Sequence, residues 1–245
     1  MAEKTSYNIS IEPQNVDYTL QERVSSLCNN ILNVAGTDAQ RKGFGVDVLG
    51  RKGHSWVLMR FAAEFDYRPE QFTSYDIATW ISDYNRLMST RNFTLTNGEG
   101  VEFGRAVSQW CMLDLETRQP LDMTTTAEMH SQWMVDCPSP MERPRRVGAP
   151  ATDNQSVFTH RVAYSDIDFN RHMNTLRYID LMVDMLPIEL FAEEHKLRVD
   201  INFLHEARYG QVLTVVCAES GAGEWTFEIR NDEQTACLRA IFKFD

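Results

Sequence analysis

TLQERVSSLCNNILNVAGTD, residues 19–38, is the stretch on which the fold turns. Leu20, Val24, Leu27, Cys28, Ile31 and Ala35 recur within it at helical spacing, and Thr19 with Glu22 three residues on has the pattern of a capping box. The spacing predicts one long helix ending near Asp38. So few charges lie on its inner face that it needs cover on most sides. The residues that follow can supply it. Val57, Met59, Phe61, Ala63, Phe65 and Tyr67 recur at every second position, as do Tyr75, Ile77, Thr79 and Ile81, and then Val101, Phe103, Arg105 and Val107. That period marks strands. Asn97-Gly98 between two such runs predicts a two-residue hairpin. With residues 1–13 read as extended, the first half is a strand, a buried helix and a meander.

The same order returns after residue 153. Val157–Tyr164 reads as a strand, and Leu176, Ile179, Val183 and Leu186 form a second helical stripe stopped by Pro187. Alternating runs then close the chain at Leu197–Phe203, Gln211–Glu219, Trp225–Arg230 and Ala236–Phe244. Between the halves, residues 117–153 hold five of the eight prolines and read as a linker. The expected organisation is therefore 1–116, linker 117–153, and 154–245. The expected class is α+β: a tandem, or double, hotdog, in which each antiparallel sheet wraps around a long helix and the two sheets pair at their edges.

Composition narrows the function classes. The 245 residues are 43% hydrophobic and 24% charged, as in globular proteins, and 24 basic against 35 acidic residues give a net charge of −11. A chain of that charge repels phosphate backbones, and no basic stripe with interleaved aromatics offsets it, so nucleic acid is excluded as a partner. The five cysteines are scattered and form no CxxC or Cys/His cluster, so neither a disulfide framework nor a metal or cofactor site is indicated. No apolar run is long enough to span a bilayer and the start has no signal-like segment. The setting expected is the cytoplasm.

The chemistry is concentrated at Asp166-Ile167-Asp168-Phe169-Asn170-Arg171-His172-Met173-Asn174, directly before the second helix. In extended backbone Asp168, Asn170, His172 and Asn174 would share one face. Asp and Asn here also suit an Asx turn and a helix cap. An acid, an amide and an imidazole meeting at a helix N-terminus suit proton transfer and a developing oxyanion on a carbonyl, with backbone N–H groups as further donors.

YSDIDFNRHMNTLRYIDLMVD, residues 164–184, resembles the D-x-N-x-H-x-N segment entering the second hotdog helix of acyl-(acyl carrier protein) thioesterases. The likeness covers most of the chain, including TLQERVSSLCNNILNVAG, GHSWVLMRFAAEFDYRP and TWISDYNRLMSTRNFTL in the first half. It implies hydrolysis of a fatty acyl thioester on acyl carrier protein by activated water. It assigns Asp168, Asn170 and His172 to the active site, with Glu206 in NFLHEARYG as the matching glutamate. Plant-type members carry a cysteine after that glutamate, where this chain has Ala207; a thiol nucleophile is therefore disfavoured, and Cys217 and Cys237 read as core. Whether Glu206 or His172 is the base stays open.

The first-half entrance, EPQNVDYTLQERV, lacks the histidine, so one catalytic centre is expected. Trp56, Met59, Phe61, Trp80 and Trp110 are candidates to line an acyl groove. Arg171, beside the motif, and the island Arg143, Arg145 and Arg146 are candidate contacts for the acidic carrier; Asn174 completes the candidate substrate-binding set. A homodimer is compatible with the sequence. Rival readings are a coenzyme A thioesterase of the same fold, a hotdog dehydratase, whose motif usually has Pro where this chain has Arg171, and a non-catalytic lipid-binding protein.

Overall fold

Strand-forming alternation and one long apolar helical stripe give the expected elements in the computed structural model, which describes residues 2–125, 131–192 and 195–245. Part of the expected linker, 126–130, lies outside the described residues. The chain forms two compact units that are discontinuous in sequence: residues 1–11, 30–63 and 72–144 make the first, and 12–29, 64–71 and 145–245 the second.

In the first unit, β1 (Thr5–Ser10), β3 (Ser74–Tyr84), β4 (Ser89–Asn97), β5 (Glu102–Asp114) and β2 (His54–Phe65) lie side by side in the order β1-β3-β4-β5-β2. The helix α1 (Val24–Arg41) enters this unit at Asn30, and its polar positions there are spent on the sheet. Asn30 donates to the Tyr75 hydroxyl at 3.1 Å, and Asp38, fully buried, takes Arg91 Nη1 at 2.6 Å, Lys42 Nζ at 2.9 Å and the Tyr7 hydroxyl at 3.2 Å. A short helix, α2 (Val46–Gly50), seals the end with Leu49 against Met112 and Met123.

The second unit orders its strands β7 (Leu197–Phe203), β10 (Ala236–Phe244), β9 (Glu224–Arg230), β8 (Val212–Gly221) and β6 (Ser156–Arg161). Its helix α3 (Thr175–Val183) buries Tyr178, Ile179, Leu181 and Met182 and is capped by Asn174, whose Oδ1 accepts from Leu176 N–H at 2.9 Å. The chain at 145–147 is strapped to β7: Asp200 accepts from the Arg145 N–H at 2.8 Å and Asn202 from the Val147 N–H at 2.9 Å.

Three local expectations are corrected. The 97–98 hairpin is a longer loop, because Asn97 Oδ1 accepts from both Glu99 and Val101 N–H and Gly100 takes φ +83°. Thr19 forms no capping box, since its hydroxyl binds Asp17, while Glu22 is buried and accepts from Ser26. The α1 helix accordingly begins at Val24. The 166–174 segment is folded back on itself rather than extended, as the site geometry requires.

Candidate active site

Asp168 makes the turn. Its Oδ1 accepts from the backbone N–H of Asn170 at 2.8 Å and of His172 at 3.2 Å, and its own N–H donates to the His172 carbonyl at 2.9 Å. Closing so tight a loop puts Arg171 at φ +65°, a left-handed conformation that side chains resist. The next residue, Met173, donates to the Ala207 carbonyl at 2.8 Å, and His172 bridges Arg208, so the turn is stitched to the segment carrying Glu206. That stitching brings the imidazole to the carboxylate: His172 Nε2 lies 3.0 Å from Glu206 Oε2, both partly open to solvent. Thirty-four residues of chain separate them. The structure thus brings Asp168, His172 and Glu206 together, while Asn170 is exposed at the tip of the turn.

Most of the backbone donors expected at the helix entrance are already used, the Phe169 and Thr175 N–H groups being exceptions among the described residues. The N–H groups of Asn170 and His172 go to Asp168 Oδ1, Arg171 to the Asp168 carbonyl, Met173 to Ala207, Asn174 to Asp166, and Leu176 to the Asn174 cap. The exposed Asn170 side chain likewise makes no hydrogen bond among the described residues.

Behind the turn stands Asp166, which sequence reasoning passed over. It is 1% exposed and takes Arg177 Nε at 2.9 Å, the Ala163 N–H at 2.8 Å and His160 Nε2 at 2.7 Å. Burial alone would raise its pKa, but the Ala163 N–H, His160 and Arg177 together hold it below the usual carboxylate range. Its backbone carbonyl receives the Asn174 N–H at 2.7 Å, so it locks the turn to the helix. A D-x-D pair before the helix was the signal in the sequence.

The first-half entrance repeats most of this construction, without a counterpart to the His172 N–H bond to Asp168. Asp17 N–H donates to the Gln21 carbonyl at 2.9 Å, Asp17 Oδ1 accepts from Thr19 N–H at 2.9 Å, Glu22 N–H donates to Pro69 at 2.8 Å, and Leu20 sits at φ +63°. Gln21 therefore occupies the place of His172, Thr19 that of Asn170, and Arg68 that of Glu206. Arg68 closes this copy: its guanidinium binds Asp17, Thr19 Oγ1 at 3.2 Å and the Phe191 carbonyl at 2.7 Å.

The five groove candidates do not form one wall. Trp56 is on the opposite face of β2 from Met59 and Phe61, by the two-residue period of a strand. Trp80 pairs with Asn92 and Trp110 with Ser89, which puts those two indoles on opposite faces of their sheet. Phe61 and Trp80 are fully buried, and the indoles of Trp56, Trp80 and Trp110 donate to Phe44, Cys137 and Ser108. Of the linker arginines, Arg143 pairs with Asp83 at 3.0 Å and Arg145 is tied to Asp200; Arg171 is the exposed cation at the turn. Ala207 is buried beside Glu206 with no thiol. Burial pushes the Cys217 thiol up to about 12 and, with the Asp232 charge adding, Cys237 up to about 11, so neither supplies a thiolate.

Residues 2–130 match the family described as acyl-ACP thioesterase N-terminal domain, and residues 150–244 that described as acyl-ACP thioesterase C-terminal domain. The chain is similar to oleoyl-acyl carrier protein thioesterase 2, chloroplastic, of Arabidopsis thaliana, 27% identical over 210 residues covering 79% of this chain and 55% of that protein. It is similar also to the oleoyl-acyl carrier protein thioesterase, chloroplastic, of Coriandrum sativum, at 24% over 211 residues, 78% of this chain and 56% of that protein. The chain spans little more than half the length of these relatives. An acyl-ACP thioesterase structure from Bacteroides thetaiotaomicron superposes with TM-score 0.91 at 32% identity, covering 99% of this chain and 98% of that one. A putative oleoyl thioesterase from Lactobacillus plantarum does so at 0.87 and 24% identity, covering 99% and 95%, a likeness of fold.

Proposed function

The chain belongs to the acyl-ACP thioesterase family, and from that premise we propose that it hydrolyses the thioester of a fatty acyl-acyl carrier protein with water, releasing the free fatty acid. The observation that carries this reading is the 3.0 Å pair of His172 and Glu206 at the mouth of α3. A thioester carbonyl has little resonance stabilisation, so a water relieved of a proton is nucleophile enough. Glu206 and His172 act as a unit: the pair takes the proton as the water oxygen bonds to the carbonyl carbon, and returns it to sulfur when the C–S bond breaks and the thiol departs. The Asn170 amide faces the oxyanion. Asp168 touches no reacting atom in this scheme. It fixes where His172 stands.

Arg171 provides the local positive charge that an acidic carrier needs on a chain of net charge −11. The test is release of free thiol from acyl chains of several lengths, each on acyl carrier protein and on coenzyme A. Release from the carrier protein at higher kcat/KM supports the reading, preference for coenzyme A moves the chain to the rival thioesterase class, and no release from either refutes hydrolysis.

A further inference from the structure

Tyr178 lies on the buried face of α3, 4% exposed, and its hydroxyl makes no hydrogen bond of normal geometry among the described residues. Its N–H donates to the Asn174 carbonyl at 3.3 Å, which puts it one turn, about 5.4 Å, beyond the cap. Because helical side chains lean toward the N-terminus, the ring runs back toward the 168–172 turn. There the phenol oxygen comes up to the N–H of Ala207, the residue that follows Glu206 and whose carbonyl takes the Met173 N–H at 2.8 Å. Burial first, and the negative charges of Glu206 and Asp168 behind it, keep the phenol protonated. With its oxygen turned to an N–H, the phenol has one hydrogen to donate, and the two carboxylates are acceptors in its neighbourhood.

Access selects between the acceptors. The hydroxyl is sealed, so neither a substrate nor bulk water touches it. Asp168 spends Oδ1 on the Asn170 and His172 N–H groups. Glu206 directs Oε2 to His172 at 3.0 Å, is partly open to solvent and adjoins Ala207 in the chain, so its side chain has freedom to turn Oε1 inward. We propose that Tyr178 is a positioning residue of the hydrolytic centre, its hydroxyl donating to Glu206 Oε1 so that Glu206 stays a carboxylate and the proton taken from water rests on His172. The O–H bond of the water breaks as its oxygen bonds to the carbonyl carbon, the imidazole takes the proton, and sulfur receives it when the C–S bond breaks. The role in turnover rests on the hydrolysis reading above; the bond between the phenol and the His172–Glu206 pair does not.

Donation partly neutralises Glu206, so the pair holds its shared proton less tightly, and without the phenol the apparent pKa of the pair rises. The other ionisable groups facing the pair are Asp168 on the turn, Arg208, whose Nη2 lies 3.9 Å from Glu206 Oε2, and Cys237 on β10, which burial keeps a neutral thiol; Tyr178→Phe alters none of them. On the full chain, Tyr178→Phe is expected to lower kcat for an acyl-acyl carrier protein at least tenfold, with KM within about twofold and an unchanged melting temperature, and to move the acid limb of kcat/KM about half a pH unit or more upward. In a Glu206→Gln background the same substitution should change kcat less than about twofold, because the phenol works through that carboxylate. An unmoved acid limb with kcat within about twofold of native overturns the proposal, and so does a full tenfold loss on top of Glu206→Gln. NMR titration of the His172 imidazole in the native chain and in Tyr178→Phe reads the bond without turnover. The imidazole of the variant should titrate at higher pH, and identical titrations overturn the proposal. A native chain that releases no thiol yet shows that difference refutes hydrolysis and upholds the bond.

Discussion

Asp17 and Asp168 hold two copies of one turn, each accepting through Oδ1 from the backbone N–H two residues on, at 2.9 and 2.8 Å. What differs is the residue that faces each turn. Arg68 ties Asp17 into an ion pair, whereas Glu206 leaves Asp168 alone and meets His172. One copy is a clamp and the other has a reactive pair.

Substitutions at the two aspartates should therefore separate. Asp17→Ala leaves Arg68, 9% exposed, without its carboxylate and should cost about 2 kcal/mol of stability, with turnover per folded molecule within about twofold. Asp168→Asn keeps an acceptor for the turn but alters the charge beside His172, and should lower kcat by tenfold or more with an unchanged urea midpoint. Urea unfolding and single-substrate kinetics on both variants decide it.

Arg171→Gly and Arg171→Glu separate charge from backbone. Glycine accepts the φ of +65° freely, so Arg171→Gly should fold at least as stably as the native chain while losing the cation. Both variants should raise KM for acyl carrier protein at low salt, glutamate the more. An unchanged KM in both would remove Arg171 from carrier recognition.

Within the first unit, Arg91 and Asp38 are a buried pair, 5% and 1% exposed. Arg91→Met leaves the carboxylate with only Lys42 and Tyr7 and should cost about 3–5 kcal/mol. Asp38→Leu/Arg91→Met should recover most of that loss, as denaturant titration of the two variants would show.

Tyr178 has a fully buried hydroxyl that makes no hydrogen bond of normal geometry among the described residues, the Ala207 backbone N–H giving it only partial support. Burial pushes its pKa far above the usual phenol value, so the hydroxyl stays protonated at working pH. Because removing an unpaired polar group is neutral or favourable, Tyr178→Phe should leave stability unchanged or raise it by up to about 1 kcal/mol. A melting temperature lowered by several degrees would contradict this.

Acid sensitivity follows from Asp38 and Asp166. Burial would raise both carboxyls, but Arg91 with Lys42 in the first case, and the Ala163 N–H with His160 and Arg177 in the second, hold them below their ordinary value. A folded pKa below the unfolded one stabilises fully above the unfolded value, about 3.9, and the gain is lost as pH falls through the folded value. The urea midpoint should therefore keep these contributions from pH 7 to 5 and lose them toward pH 2. Asp166→Asn should flatten the acid limb, and an acid limb identical to that of the native chain would exclude its role.

The sequence's periodicities carried the elements: the stripe from Val24 to Ala35 and the alternation in Tyr75–Ile81 are α1 and β3. Turn chemistry was legible only in part. Asn97 and Thr19 each spend a side chain locally, on an Asx loop and on Asp17, and no period reports that choice. The pairing of His172 with Glu206 was reached through family resemblance, since the contact depends on the Met173–Ala207 bond across 34 residues. The duplicate turn was hidden because D-Y-T-L-Q and D-F-N-R-H share only their aspartate, while most of the other bonds that match are backbone bonds.

The most direct test is the rate of thiol release from one acyl-acyl carrier protein by the native chain, Glu206→Gln and His172→Ala, with folding checked by melting. The account predicts turnover by the native chain and a loss of at least about 100-fold in each variant at unchanged stability. Native-like release by Glu206→Gln would contradict it.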